Sequence, residues 1–385
     1  MRLPRPLAVA LVVVGANLPA TAVHAQSFTR VEQILRRGVR ERVFPGAVIV
    51  VGRRDTVLYA RGFGRLTWDR NAPVPSPART RWDVASLTKI VASTSIAARF
   101  VERGVLDLDR PVHDFVPCFA GGARDAVTLR MLLTHSSGLR PWLPLWRETT
   151  DPASAFARTC AEQPVTTPGA VTEYSDLNAI LLGRALERTG GAPLDELLLR
   201  EVTGPLEMRA TSYRGETPAP FDVAPTTRGE GQVLRGRVND ENAERLGGVS
   251  GHAGVFATGL DLARFLQAWM GHARGQEIWL DEATRLAFTT SPEMGRPPGW
   301  DRPDRKRGEP SQFGDRSSEA TYGHTGWTGT QLWVDPTRDV FVVLLTNRAF
   351  APAHPDSQRR LKLVRGQVAD AVVEAVDRGY RARSP

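Results

Sequence analysis

Asp83-Val-Ala-Ser86-Leu-Thr-Lys89-Ile-Val-Ala-Ser-Thr-Ser-Ile-Ala-Ala-Arg-Phe-Val-Glu-Arg-Gly104 carries apolar residues at 90, 91, 96, 97, 100 and 101. That spacing predicts a helix from Ser86 to Arg103, stopped by Gly104. Ser86 falls in its first turn, where backbone N–H groups and the positive end of the helix dipole favour a developing oxyanion. Lys89, three residues on, shares its face and can reach the Ser86 hydroxyl. Only three of the fifty basic residues are lysine: Lys89, Lys306 and Lys362. Where arginine serves as almost every surface cation, a lysine among apolar neighbours invites a chemical reason, because a buried lysine can lose its proton while arginine stays charged. Burial is expected to lower the Lys89 pKa and make it a base or proton relay for Ser86. On these residues alone, a capping serine beside a snorkelling lysine explains the spacing equally well. Lys306 and Lys362 have ordinary solvated readings.

Outward from this segment, the two ends of the chain read as sheet and the middle as helix. Thr29 to Val39 has helical spacing, and Ala47 to Val51 and Thr56 to Tyr59 read as strands joined by a polar turn. Near the other end, Thr330 to Val334 and Val340 to Thr346 flank Asp335-Pro336-Thr337-Arg338-Asp339, a hairpin signal, before an amphipathic helix from Leu361 to Val376. Between them, Thr128 to Leu133, Leu177 to Thr189, Leu194 to Val202 and Leu260 to Met270 read as helices. The pattern predicts a mixed α/β or α+β fold, with an antiparallel sheet from about 26–80 and 320–385 and a helical region over about 86–290. Residues 217–236 and 295–318 read as irregular, the latter as an exposed loop.

The 385 residues, 41% hydrophobic and 24% charged, exclude disorder and collagen-like repeats and fit one large or two intimate globular domains. Arg2 and Arg5, the apolar run from Pro6 to Leu18 and the small-residue stretch Ala20 to Ala25 have the three parts of a secretory signal peptide over residues 1–25. Cleavage is expected after Ala25, leaving residues 26–385 as a secreted or periplasmic protein with no membrane span. The net charge of +8 is spread along the chain, and its one dense group, Arg302 to Arg307, lies among Pro and Gly, so nucleic-acid binding is not expected. Cys118 and Cys160 are too few for a disulfide-dense scaffold or a cysteine zinc site, although an exported pair can form one bridge.

Two further motifs change the weight of Ser86 and Lys89. Tyr174-Ser175-Asp176 precedes the helix at Leu177, and Gly323-His324-Thr325-Gly326-Trp327-Thr328-Gly329 leads into the strand at Thr330. Each alone reads as packing or turn chemistry. In this order after Ser-x-x-Lys, they resemble the serine penicillin-recognising family: β-lactamases with a tyrosine base, D-alanyl-D-alanine carboxypeptidases, D-aminopeptidases and related esterases. Leu132 to Leu139, Gly247 to Phe256 and Phe341 to Asn347 also look like this family, and Asp240 to Ala243 looks most like its penicillin-binding-protein-like branch. His135 and His252 read as hydrogen-bonded structural histidines.

The resemblance implies a β-lactamase/transpeptidase-like fold and an acyl-enzyme at Ser86, with Lys89 and Tyr174 sharing the proton. It implies an oxyanion hole from the N–H groups of Ser86 and Trp327, and a substrate lying along His324, Thr325 and Gly326. No cofactor or metal is required, and the partner is a small ester, amide or peptide, including cell-wall fragments. The chain departs from penicillin-cleaving members at His324, where they carry lysine, and at Asp176, where they carry asparagine. A mostly neutral histidine and an added carboxylate should weaken attraction for a carboxylated β-lactam, so slow β-lactam hydrolysis is expected. A true β-lactamase is one alternative, and a catalytically silent cell-wall binding or sensing protein another. The intact Ser86, Lys89 and Tyr174 weigh against silence. No Gly-x-Ser-x-Gly, His-Glu-x-x-His or Walker pattern occurs.

Overall fold

Two hairpins from opposite ends of the chain meet in one sheet. The computed structural model describes residues 28–215, 222–272, 278–290, 295–305 and 311–381; the expected signal peptide and Lys306 lie outside them. After the helix Thr29–Arg40 come β1 (Gly46–Arg53) and β2 (Thr56–Gly64). β3 (Tyr322–Thr325), β4 (Gln331–Asp335) and β5 (Val340–Thr346) lie near the other end, ahead of the helix Ser357–Arg381. The strand order is β2-β1-β5-β4-β3, antiparallel throughout, with Ala47 opposite Thr346 and Arg53 opposite Val340.

The sheet is covered on both faces, which is why β1 and β5 read as unbroken apolar runs rather than as alternating ones. Ala47, Ile49 and Val51 pack with Val342, Leu344, Val368 and Val372 in the cluster that includes the N- and C-terminal helices. Val48 and Val50 face the other way with Val343 and Leu345, and meet the helix Gly259–Trp269. That helix approaches closely because it begins on glycine: a Cβ at Gly259 would lie 2.9 Å from Val48 Cγ1. Each fully buried aliphatic side chain contributes roughly 1.5–3 kcal/mol.

Three expectations are corrected. The helix expected from Ser86 to Arg103 is not one α-helix but a 3-10 turn at Ala85–Leu87, a π-helical stretch at Lys89–Thr94 and an α-helix only from Ser95 to Glu102. Buried hydroxyls compete for its backbone: Ser95 Oγ donates to the Ile90 carbonyl five residues back. The described part of 217–236 is not wholly irregular, since Thr226–Arg228 and Gln232–Leu234 form a hairpin and Asp222–Val223 pairs with residues 80 and 81. Strands of two or three residues are too short to leave a period in the sequence. The described part of 295–318 is not simply an exposed loop, because Trp300 is fully buried against Trp269 and Tyr322.

Cys118, in a turn at Pro117–Phe119, and Cys160, ending the helix Pro152–Cys160, form a disulfide across 42 residues of chain. Replacing both with serine is expected to lower stability by about 2–4 kcal/mol. Urea unfolding of the oxidised protein and the double variant measures this, and equal midpoints would show that the bridge contributes nothing.

Candidate active site

Ser86 sits at the centre of a turn that the backbone holds under strain. Ala85 before it has φ +48°, a left-handed conformation costly for a residue with a Cβ. Asp83, almost fully buried, fixes that conformation by accepting from the N–H groups of Ala85 at 2.9 Å and Asn239 at 2.6 Å. Burial raises the Asp83 pKa to about 6 against the pull of those two bonds. The segment after β3 is tied to the same turn: Thr328 Oγ1 donates to the Asp83 carbonyl and Thr330 Oγ1 to that of Val84. Gly326 has no room for a side chain there, since a Cβ would lie 2.5 Å from the Val84 oxygen.

Lys89 is buried, and its Nζ lies 3.1 Å from Ser86 Oγ, 3.2 Å from the His252 carbonyl and 2.7 Å from Asp176 Oδ1. Here the expectation of a depressed pKa is corrected. Burial does push the Lys89 pKa down, but the Asp176 carboxylate and then Tyr174 outweigh it and leave the pKa raised. Lys89 is therefore a cation at rest. Asp176 lines the cavity, and the negative charge it adds there is paired with Lys89.

Tyr174 is carried by the chain just before the helix Asp176–Gly190. Its hydroxyl interacts with both Lys89 and Ser86, and burial dominates in raising its pKa, so the phenol is neutral. His135 positions it: Nδ1 accepts from the Ser175 N–H at 3.1 Å, and its ring lies 4.6 Å from that of Tyr174. Burial first, then the charges of Arg296 and Lys89, hold His135 well below the usual imidazole range, which keeps that acceptor available. His252 hydrogen-bonds through Nδ1 to Ser250 and through Nε2 to Asp240. Both histidines thus have the supporting positions expected of them, with the addition that the His252 carbonyl touches Lys89.

His324, on β3, is also buried, with Nδ1 bonded to the Thr325 carbonyl at 2.8 Å and Nε2 without a partner among the described residues. Burial, reinforced by Arg296 and Lys89, pushes its pKa down to about 4, so it is neutral, as its sequence position suggested. Thr325, Gly326 and Trp327 border the same space; Trp327 is 62% exposed, at the rim. A cavity of about 920 Å³ is lined by Ser86, Tyr174, Asp176, His324, Trp327 and Arg296, among others.

Arg296 is the residue that sequence reasoning missed. Its Nη1 pairs with Asp301 at 2.8 Å, its guanidinium lies 5.5 Å from the centre of the Tyr174 ring, and its buried Nε and Nη2 have no partner among the described residues. One arginine in a Pro- and Gly-rich stretch carries no local sign of this position. The only hint was Trp300, an apolar anchor four residues on.

The family model for β-lactamases matches residues 31–366. The chain is 29% identical over 376 residues to N-acetylmuramyl-L-alanine amidase of Bacillus subtilis strain 168, covering 87% of this chain and 84% of that protein. It is 28% identical over 386 residues to an Escherichia coli K12 protein named provisionally as a D-alanyl-D-alanine carboxypeptidase, covering 88% and 87%. Among solved structures, EstCE1, described as a hydrolase with promiscuous acyltransferase activity, shares the fold with a TM-score of 0.71 at 21% identity, over 91% of this chain and all of that one. The family match begins in the N-terminal helix and ends in the C-terminal one, and so takes in both hairpins of the sheet and the Ser86 turn between them: the chain belongs to the β-lactamase family, a hydrolase on the β-lactamase/transpeptidase-like fold.

Proposed function

We propose that the protein is an exported serine hydrolase that forms an acyl-enzyme at Ser86 on ester bonds or on amide bonds of D-amino-acid peptides. The observation that carries this reading is the contact of Lys89 with both Ser86 and Asp176, with the Tyr174 phenol against Ser86 and Lys89, on a cavity that opens to solvent. In the proposed reaction Lys89 passes a proton to Asp176 and takes the Ser86 proton as Oγ attacks the carbonyl carbon. The N–H groups of Ser86 and Trp327 receive the oxyanion. The bond to the leaving group breaks as Tyr174 gives that group its proton, and the phenolate recovers one from Lys89, which recovers its own from Asp176. Water then releases the acyl group by the same relay. The expected signal peptide and the Cys118–Cys160 bridge support action outside the cytosol.

Arg296 favours a substrate with a carboxylate. Its Nε and Nη2, beside Tyr174, have no partner among the described residues, and there the lysine of penicillin-cleaving relatives is replaced by neutral His324. The names of the amidase and carboxypeptidase relatives support a cell-wall peptide. The test compares a neutral p-nitrophenyl ester, a peptide ending in D-alanyl-D-alanine and the cephalosporin nitrocefin. Arg296→Met should raise KM for the peptide about 10- to 100-fold, the worth of a hydrogen bond to a charged group, and leave ester turnover nearly unchanged. Equal losses on ester and peptide would remove Arg296 from carboxylate recognition. No turnover and no mass shift at Ser86 with any of the three would favour a silent binding protein, and fastest turnover of nitrocefin would favour a true β-lactamase.

A further inference from the structure

Two arginines in the wall of the same cavity bond to the turn at 326–330, and neither has an acidic partner among the described residues. Arg348 and Arg365 are both 4% exposed. Among the described residues neither makes an ion pair. Burial holds Arg348 down at about 10, and burial together with the neighbouring Arg348 charge holds Arg365 at about 9. Burying two like charges side by side is costly, so what they bond to is informative. Arg365 Nη2 donates to the carbonyls of Gly326 at 3.0 Å and Thr330 at 2.7 Å, and its Nη1 to Gln312 at 2.7 Å. Arg348 donates to the Trp327 carbonyl and to Ser357 Oγ.

The Gly326 carbonyl and the Trp327 N–H belong to one peptide. In a planar trans peptide they point in opposite directions. A cation that anchors the oxygen therefore turns the N–H to the other side, and a charge-assisted bond at the oxygen strengthens the N–H as a donor. The Gly329 N–H also bonds the Gly326 oxygen at 3.1 Å, and Arg348 fixes the carbonyl of the next peptide, so the turn is held at successive points. In front of it, Gly326 abuts Val84 and Ala85 of the Ser86 turn. With no carboxylate among the described residues to cancel it, the Arg365 charge also adds to the field felt by negative charge developing in the cavity.

We propose that Arg365, seconded by Arg348, is a positioning residue for the oxyanion hole, holding and polarising the Gly326–Trp327 peptide so that its N–H receives the tetrahedral oxyanion at Ser86. This rests on the acyl-enzyme reading above. Atoms are neither gained nor lost in it: the arginine keeps its protons and acts through the peptide.

The test uses the full chain with a p-nitrophenyl ester and a boronic acid, which forms a tetrahedral adduct on an active serine. Direct loss of an oxyanion donor costs about 100- to 1,000-fold in kcat. A residue acting through that donor should cost less, so Arg365→Ala is expected to lower kcat about 10- to 30-fold, to weaken the boronate by a similar factor, and to change KM less than about threefold. Added guanidinium ion should restore part of the lost kcat, which a merely structural defect would not allow. Should the alanine variant fail to fold, Arg365→Lys decides. It keeps the charge but lacks the planar fork that bonds both carbonyls, and should show the same kcat and boronate losses in smaller degree. Wild-type kcat and boronate affinity in a folded variant would overturn the proposal while leaving the acyl-enzyme intact. Absence of any ester or boronate adduct on the wild-type protein would overturn the acyl-enzyme reading itself, and this proposal with it.

Discussion

Ser86→Ala should lower ester and peptide turnover by about 10,000-fold or more, because loss of the nucleophile removes the covalent route as a whole rather than one stabilising contact. The mass shift that follows incubation of the wild-type protein with substrate or boronic acid should vanish with it. Stability should change by less than about 1 kcal/mol, since the hydroxyl is only partly buried and the Lys89–Asp176 contact survives. Intact-protein mass spectrometry, steady-state kinetics and urea unfolding on the same samples separate these effects. An adduct that persists in the variant would move the nucleophile to another residue and dissolve the proposed roles of Lys89 and Tyr174.

The second large effect concerns the charge of Lys89. Lys89→Met removes the relay and should lower kcat about 1,000-fold. Asp176→Asn is more informative. In the wild type the folded-state pKa of Lys89 is raised above its unfolded value, so the stability this group contributes is complete below about pH 10 and is lost only as pH climbs through the folded value. Between pH 6 and 9 stability should therefore be flat as far as this group is concerned. In Asp176→Asn burial is no longer opposed by the carboxylate, and a buried cation is left without its counter-charge. Stability at pH 7 should fall by about 3 kcal/mol, then recover as pH rises and the folded protein sheds the lysine proton before the unfolded one does. Activity should follow: a neutral Lys89 can take the Ser86 proton directly, so the variant should gain rate towards alkaline pH. Urea unfolding and kcat measured from pH 6 to 10 test both. A variant as stable as the wild type and with the same pH profile would show that Asp176 does not set the charge of Lys89.

The fold was legible because its elements are decided by local chemistry. The runs at 47–51 and 340–346 are strands by composition, and the polar turns at 53–55 and 335–339 fix two hairpins. Ser-x-x-Lys, Tyr-Ser-Asp and His-Thr-Gly were legible as well, since each places its residues by short-range spacing on a helix, at a helix start or along a strand. The error at Ser86 to Arg103 has the same origin. Apolar spacing reports which face is buried, and a π-helical stretch buries nearly the same positions as an α-helix. Side-chain hydroxyls in this stretch bond to carbonyls near and far, Ser95 to Ile90 and Ser93 to Gly251, and compete with the regular helix.

Spacing along the chain determined which residues could become a nucleophile and its neighbours, and it carried their family order. It could not determine their protonation, because a pKa depends on which charges lie within a few ångströms and on how much water is excluded. Asp176, eighty-seven positions beyond Lys89, outweighs the burial that pushes the lysine pKa down. Arg296 enters the cavity from a stretch with no regular pattern, and Arg365 reaches the Gly326 carbonyl from the C-terminal helix. The sequence by itself determined the main sheet, most of the helices and the set of chemical groups; the tertiary structure alone decided their charges and their supports, because electrostatic and hydrogen-bond energies depend on distance in space and not on separation along the chain.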